Sequence, residues 1–303
     1  MSRKTDRSPN HVQLQFFYTD WSSEAISQTL SAKYASVLMV QNFCLPNGRQ
    51  LVADLMRSLF ASALTMGSRL VGRSLFLLSA SSFAVLAPAV EVAVDVGHTL
   101  AAPGAISARG RGELEFNQVL ARALVPALQA RGLTVRPVNF DGQIESLDAR
   151  PQAAAGSDFF ISLHHDSVQP ELLEKWTWNG TEQTYCDVHS GFSLFVSRDN
   201  PAPETSLRCA SAIGASLRLA GFVGATHHAD SLPGRPRPWA DVTNTVHYYD
   251  KLIVLYRTTL PAVLFEAGVI KHRDEELALS DPERQARMAD ALATGIAACL
   301  SVP

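Results

Sequence analysis

Three short apolar runs in this 303-residue chain each stop on a side chain that a buried strand would not otherwise choose. Glu91-Val92-Ala93-Val94-Asp95-Val96-Gly97 runs into His98, Asp158-Phe159-Phe160-Ile161-Ser162-Leu163 into His164, and Pro261-Ala262-Val263-Leu264-Phe265 into Glu266. Helical patterns separate the runs, and alternating strand and helix point to an α/β layered fold. In open sheets of that class, ligands bind at the carboxyl ends of strands. Three separate segments can therefore deliver His, His and Glu to one sheet edge.

The remaining elements read as follows. A helix is expected from Glu113 to Arg131, with Phe116, Leu120, Ala123, Leu124 and Leu128 at helical spacing and Gly132 as its cap; Pro126 interrupts the pattern. Leu133–Asn139 and Gly191–Ser197 read as strands, 145–155 as a short helix and Thr205–Ala220 as a longer one. Gln169–Val188 reads as mostly loop, and so does the proline-rich stretch His227–Thr245. Ile253–Tyr256 and Leu260–Ala267 read as strands, and Ser280-Asp281-Pro282-Glu283 opens a final helix, Asp281–Leu300.

Residues 66–89 have the order of a secretory signal: Met66 with Arg69 and Arg73, an apolar run from Leu75 to Leu86, then Ala87-Pro88-Ala89. The run is short for a membrane span. Translation is therefore expected to start at Met66 or Met56, leaving 1–65 as a non-native or disordered extension and 90–303 as the mature domain. Charge follows the same division. Residues 1–89 carry 8 Lys and Arg against 4 Asp and Glu, and 90–303 carry 18 against 25, a net of −7. So acidic a domain is a poor partner for nucleic acid or anionic membrane, and no stable membrane insertion is expected once the signal is removed. Of Cys186, Cys209 and Cys299 in the mature region, none forms a Cys-x-x-Cys pair, which argues against a cysteine metal site. Export allows one disulfide; Cys186–Cys209 is the expected pair, with Cys299 in the core of the last helix.

Two neutral imidazoles and a carboxylate form a common catalytic zinc set that leaves one position for water, and a further carboxylate can take that water's proton. Singly, each residue has a plainer reading. A histidine after a strand is more often hydrogen-bonded than metal-bound. A glutamate opening a helix usually complements its dipole, a role that Glu113 and Glu115 fill equally well. Glu266 is harder to explain plainly, because a carboxylate after an apolar strand is costly unless paired or ligated. His165 should face away from His164, and Asp166 should share its face and lie close behind it. His227 and His228 are expected on the surface; His189 and His247 are candidate substrate contacts.

The order and setting of these segments resemble the N-acetylmuramoyl-L-alanine amidase type 3 family over about residues 91–300. Val94-Asp95-Val96-Gly97-His98 looks like the family's first strand and first zinc histidine, and Gly112-Glu113-Leu114-Glu115-Phe116-Asn117 like its glutamate-bearing helix start. In that motif Asn117 selects Glu113 rather than Glu115. Ile161-Ser162-Leu163-His164 looks like the second zinc strand, and Pro261 to Gly268 like the strand with the catalytic Glu266; Glu275-Glu276-Leu277 fits the short helix that follows. Thr99-Leu100 stand where the family usually has two glycines, and Val96 where it often has proline.

The resemblance implies a single three-layer domain, a twisted mixed sheet flanked by helices. It implies one Zn2+ held by His98, Glu113 and His164, with Glu266 as base and then acid. The substrate would be peptidoglycan, cut at the amide between N-acetylmuramic acid and L-alanine, in the periplasm or outside the cell, with a protein activator as a further partner. Two other readings share these residues: a zinc carboxypeptidase acting on wall peptides, and a non-catalytic wall-binding protein on a decayed amidase fold.

Overall fold

A computed structural model describes residues 89–229 and 237–301, all within the compact unit Phe83–Pro303. The expected upstream extension, and the signal segment as far as residue 88, lie outside the described residues.

The framework is a seven-stranded mixed sheet. Strands β1 (Glu91–Val96), β2 (Thr134–Val138), β3 (Phe159–Asp166) and β9 (Ala262–Val269) lie parallel in the order β2-β1-β3-β9. Strand β6 (Ser193–Val196) pairs antiparallel with β9; β8 (Val246–Tyr248) then runs parallel to β6, and β7 (Trp239–Asp241) closes the edge antiparallel to β8. The parallel order brings the carboxyl halves of β1, β3 and β9 together; β3 and β9 run on past the expected endings, to Asp166 and Val269, so His164 and Glu266 face each other within the strands while His98 lies just beyond β1.

Alternation along the strands sorts their side chains into two cores. Val92, Val94, Phe159, Ile161, Val263 and Phe265 pack on three long helices: α1 (Glu113–Gln129), α3 (Pro203–Leu219) and α6 (Pro282–Leu300). Ala93, Phe160, Ala262 and Leu264 face the other way into a smaller cluster with Val254, Leu255 and Leu260. Among the described residues, the short helices α2 (Ala149–Ala153) and α4 (Ile253–Tyr256) and their loops cover that second face. The three layers expected are present, one thick and one thin, and the thin layer leaves room for a site.

Helix α1 opens with Glu113 and Glu115 in its first turn and buries Leu114, Phe116, Leu120, Leu124 and Leu128 on one stripe. It runs through Pro126 to Gln129. Helix α5 (Arg273–Leu279) follows β9 and is capped by His272, whose side chain accepts from the backbone N–H groups of Asp274 and Glu275. Among the described residues no helix is long and apolar enough to cross a membrane.

Several expectations need correction. Gln169–Val188 is not mostly loop: β4 (Glu174–Trp178) and β5 (Thr181–Tyr185) form a hairpin. Its turn is Asn179-Gly180, both with positive φ (47° and 76°), as a two-residue type I′ turn requires. Ile253–Tyr256 is a helical turn, α4, and not a strand. The stretch read as a loop from His227 to Thr245 contains a 3-10 turn, His227–Ala229, and the edge strand β7.

The disulfide also differs. Cys209 of α3 bonds Cys299 of α6, while Cys186 is free and buried. The two long helices pack closely enough that a Cβ on Gly295 would meet the Ile213 backbone at 2.5 Å. That proximity brings together two cysteines 90 residues apart in sequence. Cross-linking so long a loop stabilises a chain by about 2–4 kcal/mol. Cys299→Ser should lower the unfolding free energy by about that amount in denaturant titrations. In non-reducing denaturant an alkylating reagent should modify Cys186 but neither Cys209 nor Cys299; modification of all three would contradict the bond.

Candidate metal centre and active site

His98 leaves β1 just beyond Gly97 with φ at 70°, a conformation unusual for a residue with a side chain. The turn is held from outside: Asn139 Nδ2 donates to the carbonyls of Val96 and His98, both at 2.7 Å. Its strain is offset by this clamp and aims the imidazole inward. There His98 Nε2 lies 2.8 Å from Glu113 Oε2, and His164 Nδ1 lies 3.0 Å from Glu113 Oε1. One ligand atom from each of the three residues falls within 4.8 Å of the others.

Glu113 is buried, and its carboxylate is the hub of the arrangement. The backbone N–H of Ala105 donates to Oε2, and that of His165 to Oε1, both at 3.2 Å. Asn117, one turn along α1, gives its Nδ2 to Glu113 Oε1 and to the Gly97 carbonyl. Burial alone would raise the Glu113 pKa; the hydrogen bonds from His164 and His98, with their charge, prevail and hold it well below the usual carboxylate range. Two glycines make the space. A Cβ on Gly97 would lie 2.4 Å from the His164 ring, and one on Gly104 would lie 2.5 Å from Glu113 Oε2. Two imidazole nitrogens and an ionised carboxylate converging in a cradle that excludes a methyl group fit a zinc ion.

His165 faces the opposite side, as expected. Its Nδ1 meets Asn117 Oδ1 at 2.7 Å, and burial lowers its pKa to about 3, so the ring is neutral. Since the Asn117 amide nitrogen is already donating, its oxygen faces the ring and Nδ1 carries the proton. Glu115 stays on the surface, paired with Arg111 at 3.3 Å.

Glu266 stands opposite His164 in the β3–β9 register. Its Oε2 is enclosed and has no hydrogen-bond partner among the described residues. Burial pushes the Glu266 carboxyl well above the ordinary range, and the charges of Asp166 and Glu113 add to this, with Arg237 opposing them. Such a carboxyl is poised to exchange a proton.

Asp166 does share the His164 face, but its hydrogen bonds go elsewhere. His227 Nε2 lies 3.0 Å and His228 Nε2 2.7 Å from Asp166 Oδ2, the second off the line of a good hydrogen bond. His227 and His228 are therefore not on the surface: their side chains are 9% and 5% exposed, drawn in by the buried carboxylate. This trio also has ligand spacing. Arg237 decides against a metal there. Its Nη1 donates to His228 Nδ1 at 3.1 Å, and a neutral ring that accepts at Nδ1 carries its proton on Nε2, leaving no lone pair for a metal. Arg237 already supplies the positive charge this cluster needs.

His247 is fully buried, stacked between Trp239 and Phe195, with Nδ1 on the Arg237 carbonyl. It is a packing residue and cannot contact substrate. His189 stacks on His227. Residues that sequence reasoning missed are Asn139, which holds the His98 turn, and Arg237, which orders His228. Neither lies in a recognisable pattern.

The profile of the family described as N-acetylmuramoyl-L-alanine amidase matches residues 92–298, most of the chain and the whole of the site. The chain belongs to that family. It is an enzyme of cell-wall amide hydrolysis. Solved amidases share its fold. Ami1 from Mycobacterium smegmatis is 20% identical with a TM-score of 0.56, covering 71% of this chain and 98% of its own. The CwlV catalytic domain from Bacillus (Paenibacillus) polymyxa var. colistinus is 24% identical with a TM-score of 0.52, covering 71% and 99%. The CwlD amidase of Clostridioides difficile, solved in complex with the GerS lipoprotein, is 19% identical with a TM-score of 0.53, covering 70% and 99%. No curated protein matches this chain in sequence.

The cradle makes its own prediction. Gly97→Ala should leave the circular dichroism spectrum unchanged, since the clash is confined to the His164 ring. Displacing a ligand by about 1 Å costs on the order of a hundredfold in rate. Wall-hydrolysing activity should fall by about that factor, and full activity would show that the His164 position is not critical.

Proposed function

We propose that His98, Glu113 and His164 hold one zinc ion, and that Glu266 is the general base and acid for cleaving the amide between N-acetylmuramic acid and L-alanine. The observation that carries this reading is the convergence of three ligand atoms from three segments on one point, with the Glu266 carboxyl in register beside His164. A zinc ion at this place supplies Lewis acidity, acidifying water and polarising the substrate carbonyl. The chain's own residues do the rest. Glu113 and the two imidazoles fix the position of the charge. Glu266 takes a proton from the attacking water and delivers it to the leaving nitrogen of alanine, so that water and amide become lactyl carboxylic acid and amine. Its burial, with the charges of Asp166 and Glu113 nearby, suits Glu266 to hold that proton between the two steps.

The reading extends to the rest of the chain. Residues 90–303 form the catalytic domain, 66–89 are the export signal, and 1–65 are an upstream extension. Cell-wall amidases are typically secreted or periplasmic, and a disulfide between α3 and α6 suits that oxidising setting. CwlD, solved in complex with a lipoprotein, is the precedent for a protein partner here, and the role we assign to such a partner is that of activator.

Glu266→Gln keeps the shape of the side chain and removes its proton chemistry. The variant should retain wild-type zinc content and lose activity by roughly 10²-fold or more, the scale of a lost general base. With wild-type protein, mass analysis of digested sacculi should show intact stem peptides with a free alanine amine. Release of single amino acids would place the chain among the carboxypeptidases, and an active Glu266→Gln would remove Glu266 from the mechanism.

A further inference from the structure

On the thin side of the sheet, a cavity of about 300 Å³ opens beside the metal-ligand residues. His98 and His164 form its rim, and Leu147, Ile253 and Leu264 are among the apolar groups of its wall. Arg150 also lines it, although only 2% of this residue is exposed. Its charge is already answered. Nε and Nη2 bond Asp95 at 2.8 and 2.6 Å, Nη2 also reaches the Val96 carbonyl, and Ser162 Oγ donates to the same Asp95 carboxylate. Nη1 takes part in none of these bonds. The recess is therefore mostly apolar, with Arg150 Nη1 as a spare donor and the exposed Glu145 side chain also in its lining.

These properties describe the group it accepts. Three uncharged groups flank the scissile amide of an N-acetylmuramoyl-L-alanine unit: the alanine methyl, the lactyl methyl and the N-acetyl group on the sugar. A space of this size holds roughly ten waters' worth of liquid volume, so a lone methyl would leave it mostly empty. An acetamido group is larger and pairs a methyl with a carbonyl acceptor, matching apolar walls and one donor. A carboxylate gains little from a guanidinium that Asp95 has neutralised.

We propose that this recess is a specificity subsite for the N-acetyl group of the muramoyl residue, with Arg150 Nη1 donating to the acetyl carbonyl. The proposal rests on the amidase reading and names the half of the substrate that the enzyme recognises. It makes the enzyme sensitive to wall de-N-acetylation.

The test uses the full zinc-loaded chain and two soluble substrates, a muramoyl dipeptide beginning with L-alanine and its de-N-acetylated counterpart. The acetylated compound should have a kcat/KM at least tenfold higher, with the difference in KM. Leu147 is about half exposed, so Leu147→Asp should fold; it should raise KM for the acetylated compound about tenfold and, with a carboxylate now beside the ammonium, should not raise it for the amine compound. Equal kcat/KM for the two substrates would overturn the subsite. So would a Leu147→Asp variant that weakens both equally, or an N-acetyl preference that vanishes when glycine replaces the alanine. Calorimetric titration of both compounds into zinc-loaded Glu266→Gln separates this from failure of the mechanism. Tighter binding of the acetylated compound supports the subsite even if neither is cleaved, and equal or undetectable binding rejects it.

Discussion

A buried carboxylate organises this molecule. Glu113 is removed from water at the head of a long helix, where an ionised group survives only if its surroundings replace the lost hydration. Two imidazoles, two backbone N–H groups and the Asn117 amide do so. The partners come from four parts of the chain, so satisfying one carboxylate ties β1, the loop after it, α1 and β3 into a single arrangement. The left-handed His98, the Asn139 clamp and the close packing at Gly97 and Gly104 follow from bringing those partners together.

The second carboxylate system has the opposite logic. Asp166 is held within the protein by a hydrogen bond from His227 and by the close approach of His228, which Arg237 orders. Glu266 feels the charge of both Asp166 and Glu113 and has an enclosed oxygen without a hydrogen-bond partner among the described residues. Three carboxyl groups this close cannot all be comfortably ionised. The one left without hydrogen-bond donors among the described residues has the highest proton affinity, and this asymmetry distinguishes Glu266 from Glu113 and Asp166 despite their shared chemistry.

Much of this was legible in the sequence because it depends on period and position. Strand alternation turned His165 away from His164, and parallel order made the segments of His98, His164 and Glu266 neighbours, although β3 and β9 run on past the polar residues that read as their ends. What failed depended on contacts between distant segments. His227 and His228 lie in a proline-rich stretch that reads as surface, and only the buried Asp166 carboxylate draws them in. The Cys209–Cys299 bond follows from helix packing that spacing does not reveal. Ile253–Tyr256 is four apolar residues long, too short for periodicity to separate strand from helix. The β4–β5 hairpin is a different kind of miss. Its Asn179-Gly180 turn was a readable signal, but the flanking strands carry mostly polar and exposed residues and lack the apolar face that usually marks a strand.

The central claim is that a metal belongs at Glu113 and nowhere near Asp166. Anomalous diffraction recorded on both sides of the zinc absorption edge, from crystals of the zinc-loaded chain, addresses it directly. The account predicts one strong difference peak among His98, Glu113 and His164, and none at Asp166, His227 and His228. A peak at the second cluster, or no peak at the first, would contradict it.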